Sequence, residues 1–215
     1  MRIEYLGHSC FKITDSNGIS VVTDPYQGVG YSLPEKVSAD IVTVSHSHFD
    51  HNYTEAIKGN PQIVTACQKR TINGVTIEGI ASYHDEQKGR LRGENRIFKI
   101  RMDGMTLCHL GDLGEPVRLE LVKAIGETDI LFIPIGGTYT IDATQAKSYV
   151  NAIAPKMVIP MHYKPKDGTL DITDETPFLR LFERVTYANG SVLKLDGFTD
   201  ENIQIVFMER GNEKV

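Results

Sequence analysis

Six consecutive residues, His46-Ser47-His48-Phe49-Asp50-His51, carry four side chains that ligate metals, and they follow directly on the apolar run Ile41-Val42-Thr43-Val44. In an extended chain, residues two apart point the same way. His46 and His48 can therefore address one ion, while Asp50 and His51, where the chain turns off the strand, project elsewhere and can serve a second. Imidazole and carboxylate suit zinc and its first-row neighbours. A fold that uses this segment must bring a strand end to a rim where further ligands arrive.

The chain offers such ligands at other strand ends. His84 ends the strand-like Val75 to Ala81, and His162 ends Met157-Val158-Ile159-Pro160-Met161. Asp112 sits in His109-Leu110-Gly111-Asp112-Leu113-Gly114, just past the strand-like Met105 to Cys108. Successive strand ends share one edge of a sheet, so these side chains can converge. His109, three residues before Asp112, is expected to support the strand end and not to bind metal. His8 follows a glycine at a strand end and is expected near the site, as a substrate contact or a support for a ligand. Gly136-Gly137-Thr138-Tyr139-Thr140 follows the buried run Ile130 to Ile135, so Thr138 or Tyr139 could donate to a substrate. Lys164 could clamp an anion. The stretch from Lys88 to Arg101 holds six basic residues against one acidic residue, Glu94, and part of it could receive a phosphate or carboxylate.

The 215 residues suit one domain spanning 1–215, with no linker, internal repeat or low-complexity segment. A net charge of −5 argues against an obligate nucleic-acid partner. Met1 to Leu6 reads as a strand and lacks the apolar core of a signal peptide, and no apolar run approaches the ~20 residues that span a bilayer. Three cysteines without a CxxC pair read as reduced thiols of a cytoplasmic protein, two of them buried in strands.

Further strands are expected at Arg2 to Leu6, Cys10 to Thr14, Ile19 to Thr23, Ile41 to Ser45, Gln62 to Thr65, Ile97 to Arg101 and Met105 to Leu110, with Asp15-Ser16-Asn17-Gly18 as a hairpin turn. Tyr26 to Ala39 reads as a Gly/Pro-containing loop able to fold over the rim. One helix is expected from Pro116 to Gly126, with Val117, Leu121, Val122 and Ile125 as its stripe. A second opens on an Asp142/Gln145 capping box and ends before Pro155. A third opens at Thr176-Pro177 and carries Phe178, Leu181, Phe182 and Val185. Many strands and few helices favour two sheets with helices outside.

Taken together, these pieces resemble the metallo-β-lactamase superfamily, whose HxHxDH motif is matched at His46 to His51 and whose single ligands follow in order at His84, Asp112 and His162. The resemblance extends to a branch of Zn-dependent hydrolases related to ascorbate-6-phosphate lactonase, through Gly7-His8-Ser9-Cys10-Phe11, Thr23-Asp24-Pro25, Gly111 to Gly114, Pro134 to Thr140 and Pro160 to Tyr163. It implies an α/β fold, the four-layered αββα sandwich. It implies that His46, His48 and His84 hold one ion, that Asp50, His51 and His162 hold another, and that Asp112 bridges both. The same resemblance puts Asp24 behind a ligating histidine. The ions expected are two divalent metals, zinc by default, with manganese or iron as alternatives. The activity implied is hydrolysis of a small ester, lactone or phosphodiester by metal-bound hydroxide, with Asp50 and Asp112 in the catalytic centre. A metal-dependent nuclease and a non-catalytic metal-binding protein are the alternatives. The expected partner is a small anionic substrate, with neither nucleic acid nor membrane. Oligomeric state is left open.

Overall fold

The computed structural model describes residues 1–198 and 202–211, and among these the chain forms two β-sheets and three α-helices. The first sheet runs β13-β1-β2-β3-β4-β5, built from β1 (Arg2–Gly7), β2 (Cys10–Thr14), β3 (Ser20–Thr23), β4 (Ile41–Thr43), β5 (Gln62–Val64) and β13 (Val192–Lys194). The second runs β12-β14-β11-β10-β9-β8-β7-β6, built from β6 (Arg70–Ile72), β7 (Val75–Tyr83), β8 (Glu94–Met102), β9 (Met105–His109), β10 (Ile130–Pro134), β11 (Met157–Met161), β12 (Thr186–Tyr187) and β14 (Gln204–Phe207).

Strand direction decides where function can gather. β3, β4 and β5 are mutually parallel, and β1 is antiparallel to β2, which is antiparallel to β3. β1, β3 and β4 therefore end at the same edge of the first sheet. In the second sheet β9, β10 and β11 are parallel, and β7 and β9 are each antiparallel to β8. β7, β9, β10 and β11 likewise end together. Crevices beyond the carboxyl ends of strands are where such sheets bind ligands.

The inner faces of both sheets share one core. Phe11 of the first sheet meets Phe132 of the second with ring centroids 4.4 Å apart, and Ile3, Ile13, Val21 and Ile41 belong to the same buried cluster as Ile77, Ile100, Leu107 and Ile133. β10 and β11 are buried along their whole length, as expected for parallel strands covered on both faces. Helix α1 (Leu119–Ile125), helix α2 (Ala143–Ile153) and the single turn α3 (Thr176–Leu179) contribute Leu121, Tyr149, Val150 and Phe178 to that cluster. The outer face of the first sheet is covered instead by loop. Tyr26, Val29, Val37 and Ala39 pack on Leu6, Cys10, Val22 and Val42. Pro25, Gly28, Gly30 and Pro34 explain why that cover is not helical.

The capping box is present at α2, where Asp142 accepts from Gln145 N and Gln145 accepts from Asp142 N, and left-handed Ala154 ends the helix before Pro155. Helix α1 starts at Leu119, later than Pro116, because Arg118 folds back onto Glu115 in a two-bonded ion pair. Val117 is consequently exposed. The third helix is shorter than the apolar spacing suggests, since Leu181 and Phe182 continue as tight turns bonded to Phe178 and Leu179. Cys10 and Cys108 are buried and Cys67 is exposed, all three unpaired. No helix among the described residues is long and apolar enough to cross a membrane.

Candidate metal centre

Every expected ligand follows the carboxyl end of a strand: His46 to His51 after β4, His84 after β7, Asp112 after β9 and His162 after β11. The two sheets are joined at this edge, where His162 N donates to His8 O at 3.0 Å. The site is a meeting of both sheet rims.

Three groups of ligand atoms result, one of which, His46 with His51 and Asp112, joins the other two. The donor atoms of His46, His48 and His84 lie within 4.8 Å of one another, and so do those of His8, Asp50, His51 and His162. The carboxylate of Asp112 stands between them. Its Oδ2 lies 3.3 Å from His84 Nε2, 3.2 Å from His162 Nε2 and 3.8 Å from His46 Nε2, while its Oδ1 lies 3.1 Å from His51 Nε2. His48 is exposed, whereas the other imidazoles are buried.

Hydrogen bonding fixes which ring nitrogens are free. Asp24 is fully buried and accepts from Ser45 N at 2.8 Å, from Ser45 Oγ at 2.6 Å and from His51 Nδ1 at 2.9 Å. Because a carboxylate only accepts, His51 carries a proton on Nδ1, and its Nε2 turns a lone pair toward Asp112 once the second proton favoured by the two carboxylates is lost. Ser45 has one hydroxyl proton, already given to Asp24, so its contact at 2.9 Å with His46 Nδ1 must be received from that nitrogen. His46 Nε2 is thereby also a lone pair aimed at the centre. This indirect control of tautomer is typical of ligating histidines.

Such lone pairs facing a carboxylate repel it unless a proton or a metal cation lies between them. Nε2 of His8, His46 and His51 and Oδ1 of Asp112 are all buried without a hydrogen-bond partner, and buried polar atoms are rarely left so. Burial, reinforced by the His162 ring, pushes His8 down to about 4, and burial with the His51 ring pushes His46 down to about 3. Both stay neutral at pH 7, the form that binds metal. Burial opposes the ionised state of Asp112, but the imidazoles of His162 and His51 outweigh it and hold the carboxyl well below its usual range. His51 differs: burial opposes its charged form, but Asp112 and Asp24 outweigh that and push its pKa well above the ordinary imidazole value, so a metal taken up at Nε2 would displace a proton. Ionised Asp24, Asp50 and Asp112 among these nitrogens suit a divalent cation.

His109 differs from these. Its Nε2 donates to Ser9 O at 2.8 Å and its Nδ1 accepts from Gly111 N at 3.2 Å, leaving no nitrogen for a metal. Thr138 and Tyr139 are exposed in the turn after β10, with the Arg92 guanidinium 5.6 Å above the Tyr139 ring. Lys164 lines a cleft of about 820 Å³ with Tyr31, Tyr163 and Arg210, and Tyr31 and Tyr163 also line a smaller hollow beside His8. In the basic run, the carboxylate received by the loop after His84 is the chain's own. Asp85 accepts backbone N–H bonds from Gln87, Gly89, Leu91 and Arg92 at 2.7–3.0 Å.

Several residues that shape the site carry no obvious mark in the sequence. Asn95 is fully buried; its Oδ1 accepts from Asp112 N at 2.9 Å, and its Nδ2 donates to Ser82 Oγ and Leu110 O. Ser45 is the link between Asp24 and His46. Backbone conformation is unusual at the same edge: His8, Asp24, Thr138 and His162 all have φ between 38° and 57°. Non-glycine residues in that region cluster at functional sites.

A family model for the Beta-lactamase superfamily domain matches residues 2–162. The chain is 31% identical over 220 residues to a UPF0173 metal-dependent hydrolase of Methanospirillum hungatei, covering 90% of this chain and 96% of that protein. The crystal structure of a candidate Zn-dependent hydrolase of the metallo-β-lactamase superfamily from Thermotoga maritima is 36% identical, with a TM-score of 0.82 over 97% of this chain and 98% of its own. Igni18, a metallo hydrolase from Ignicoccus hospitalis, shares the fold at 20% identity with a TM-score of 0.68, covering 98% of this chain and 96% of its own. With two sheets, a shared rim and the ligand order in place, the chain belongs to the metallo-β-lactamase superfamily, among the UPF0173 metal-dependent hydrolases.

Proposed function

We propose that the protein is a dinuclear metal-dependent hydrolase acting on a small anionic ester, lactone or phosphodiester. The observation that carries this reading is Asp112, whose two oxygens face imidazoles of both ligand groups at 3.1–3.8 Å. His46, His48 and His84 would hold one ion, Asp50, His51 and His162 the other, and Asp112 both. Three buried or half-buried carboxylates, Asp24, Asp50 and Asp112, offset the charge of two divalent cations better than that of one. Zinc suits this donor set, and manganese or iron would also fit. When bound, such ions lower the pKa of a water to about 7 and steady negative charge on the substrate.

The chain's own residues supply orientation. Asp24 holds His51 and, through Ser45, His46 in the ligand tautomer, and Asn95 fixes the backbone of Asp112. Tyr139, exposed with the Arg92 guanidinium over its ring, is the side chain we assign to meet a substrate's polar group. The net charge of −5 disfavours a long polyanion while the loaded site attracts a small one. Free thiols fit a reducing cytoplasm.

The test combines metal analysis with a substrate panel. Saturated protein should hold close to two equivalents of metal and turn over at least one small lactone, ester or phosphodiester. Content that never passes one equivalent would remove the dinuclear reading. Cleavage of long oligonucleotides in preference to every small substrate would overturn the substrate class.

A further inference from the structure

His8 shares a cluster of donor atoms with Asp50, His51 and His162 but is absent from the two ligand sets proposed for the ions. It is 1% exposed, and its Nε2 lies 3.4 Å from Asp50 Oδ2, in the same cluster of donor atoms as His51 and His162. Its ring is 4.3 Å from that of His162 and 5.0 Å from that of His51, centroid to centroid. Donors sharing one zinc at about 2.0–2.2 Å stand no more than about 4.4 Å apart. A set already within 4.8 Å needs to contract only slightly.

The backbone holds the ring there against its own preference. His8 sits at φ 52°, with its N–H given to Tyr31 Oη at 3.0 Å and its carbonyl accepting from Tyr5 Oη at 3.1 Å and His162 N at 3.0 Å. Three bonds from three segments fix a left-handed histidine beside the centre. Its burial behind Asp50 and His162 takes it out of reach of a substrate.

His109 provides an internal control for the bland alternative, a merely structural core histidine. There both ring nitrogens are satisfied, at 2.8 Å and 3.2 Å. In His8 the nitrogen facing the site has no hydrogen-bond partner. A hydrogen bond to Asp50 is a poor substitute at 3.4 Å.

We propose that His8 is a further ligand, through Nε2, of the ion held by Asp50, His51 and His162. This rests on the metal reading of the site. The two ions would then be unlike: one enclosed by buried ligands on most sides, the other, at His46, His48 and His84, open to solvent through exposed His48. Substrate and water would have more room at the second.

The direct test uses the unsubstituted protein loaded with cadmium-113, in which scalar coupling from the metal to an imidazole ring reports a bond. Coupling to the rings of His8, His51 and His162 is expected from one and the same cadmium resonance. Coupling to His51 and His162 without His8 would overturn this inference and leave the metal centre intact. A protein that takes up no cadmium, zinc or manganese would overturn both. As a second reading, His8→Gln should weaken one of the two metal equivalents by more than the ~100-fold that loss of an outer hydrogen-bond partner costs, in competition with a chelator, the other being unchanged. Wild-type affinity for both in a folded His8→Gln protein would also refute it.

Discussion

The two walls of the metal centre are held by different means. On the first sheet, His46 and His51 are oriented by polar side chains that converge on buried Asp24. On the second, the ligands are set largely by close backbone approach. A Cβ on Gly114 would stand 2.4 Å from the carbonyl carbon and oxygen of His84, and one on Gly136 would stand 2.3 Å from the carbonyl oxygen of His162. Asp112 on that wall also has a side-chain partner for its backbone, Asn95. One wall is wired by hydrogen bonds that set protonation. The other is a steric mould that sets position.

Removing the group common to both walls should have the largest effect. Asp112→Ala deletes the carboxylate that four imidazoles face, so hydrolysis should fall to background and at least one metal equivalent should be lost, as read by elemental analysis. Far-ultraviolet circular dichroism should remain that of a folded protein, because Asp112 lies at a rim and not among the apolar side chains of the core. Retained metal and activity would break the bridge between the walls.

The steric mould is probed by Gly114→Ala. The methyl group would meet backbone, which cannot swing aside as a side-chain tip could. Overpacking of this kind costs about 1–3 kcal/mol, occasionally more, and the urea midpoint should fall accordingly. An unchanged midpoint would show that the second wall yields.

The polar wall is probed by Asp24→Asn, which keeps shape but loses the charge that receives His51 Nδ1. Metal affinity should fall about 10–100-fold, measured by chelator competition, with a smaller change in fold stability than Gly114→Ala gives. Ser45→Ala should have the smallest effect. It removes the hydroxyl that relays Asp24 to His46 and should cost about 0.5–1.5 kcal/mol, with under ten-fold loss in affinity. If Ser45→Ala were as damaging as Asp24→Asn, the relay to His46 and not the direct bond to His51 would carry the wall.

Much of this was legible before any coordinates. The ligand cluster behind Ile41 to Val44 announces both a strand end and a metal site, and β11 begins and ends where its apolar run does, at Met157 and Met161. The capping box at Asp142 locates α2 because its signal is local. Asn95 was hidden for the opposite reason. It sits within a run of basic residues, and its meaning comes from Asp112, 17 positions away. Ser45 likewise depends on Asp24, 21 positions away. The short strands β6, β12 and β13 have mostly exposed or half-buried residues and show no alternation to read, so only pairing with distant partners creates them. Charge density in Lys88 to Arg101 suggests a docking place for an anion, and because Asp85 takes backbone donors of that loop, such an anion would be met by the basic side chains.

The pairing of β1 with β13 ties Arg2 to Lys194, and Met1 and Leu195 exchange backbone bonds at 2.9–3.0 Å. On a ribosome the partner of β1 emerges on the order of 10–40 s after β1 itself, at about 5–20 residues per second. During that interval one edge of β1 has unsatisfied donors and acceptors. β2 and β3 can assemble on its other side as sequence-local hairpins and β4 can join them through the loop 24–40, and all the metal-facing residues, up to His162, are synthesised before the closing strand. Sealing the first sheet is thus a late event with a large loop-closure cost, of the kind that slows folding and leaves a strand edge open to wrong partners.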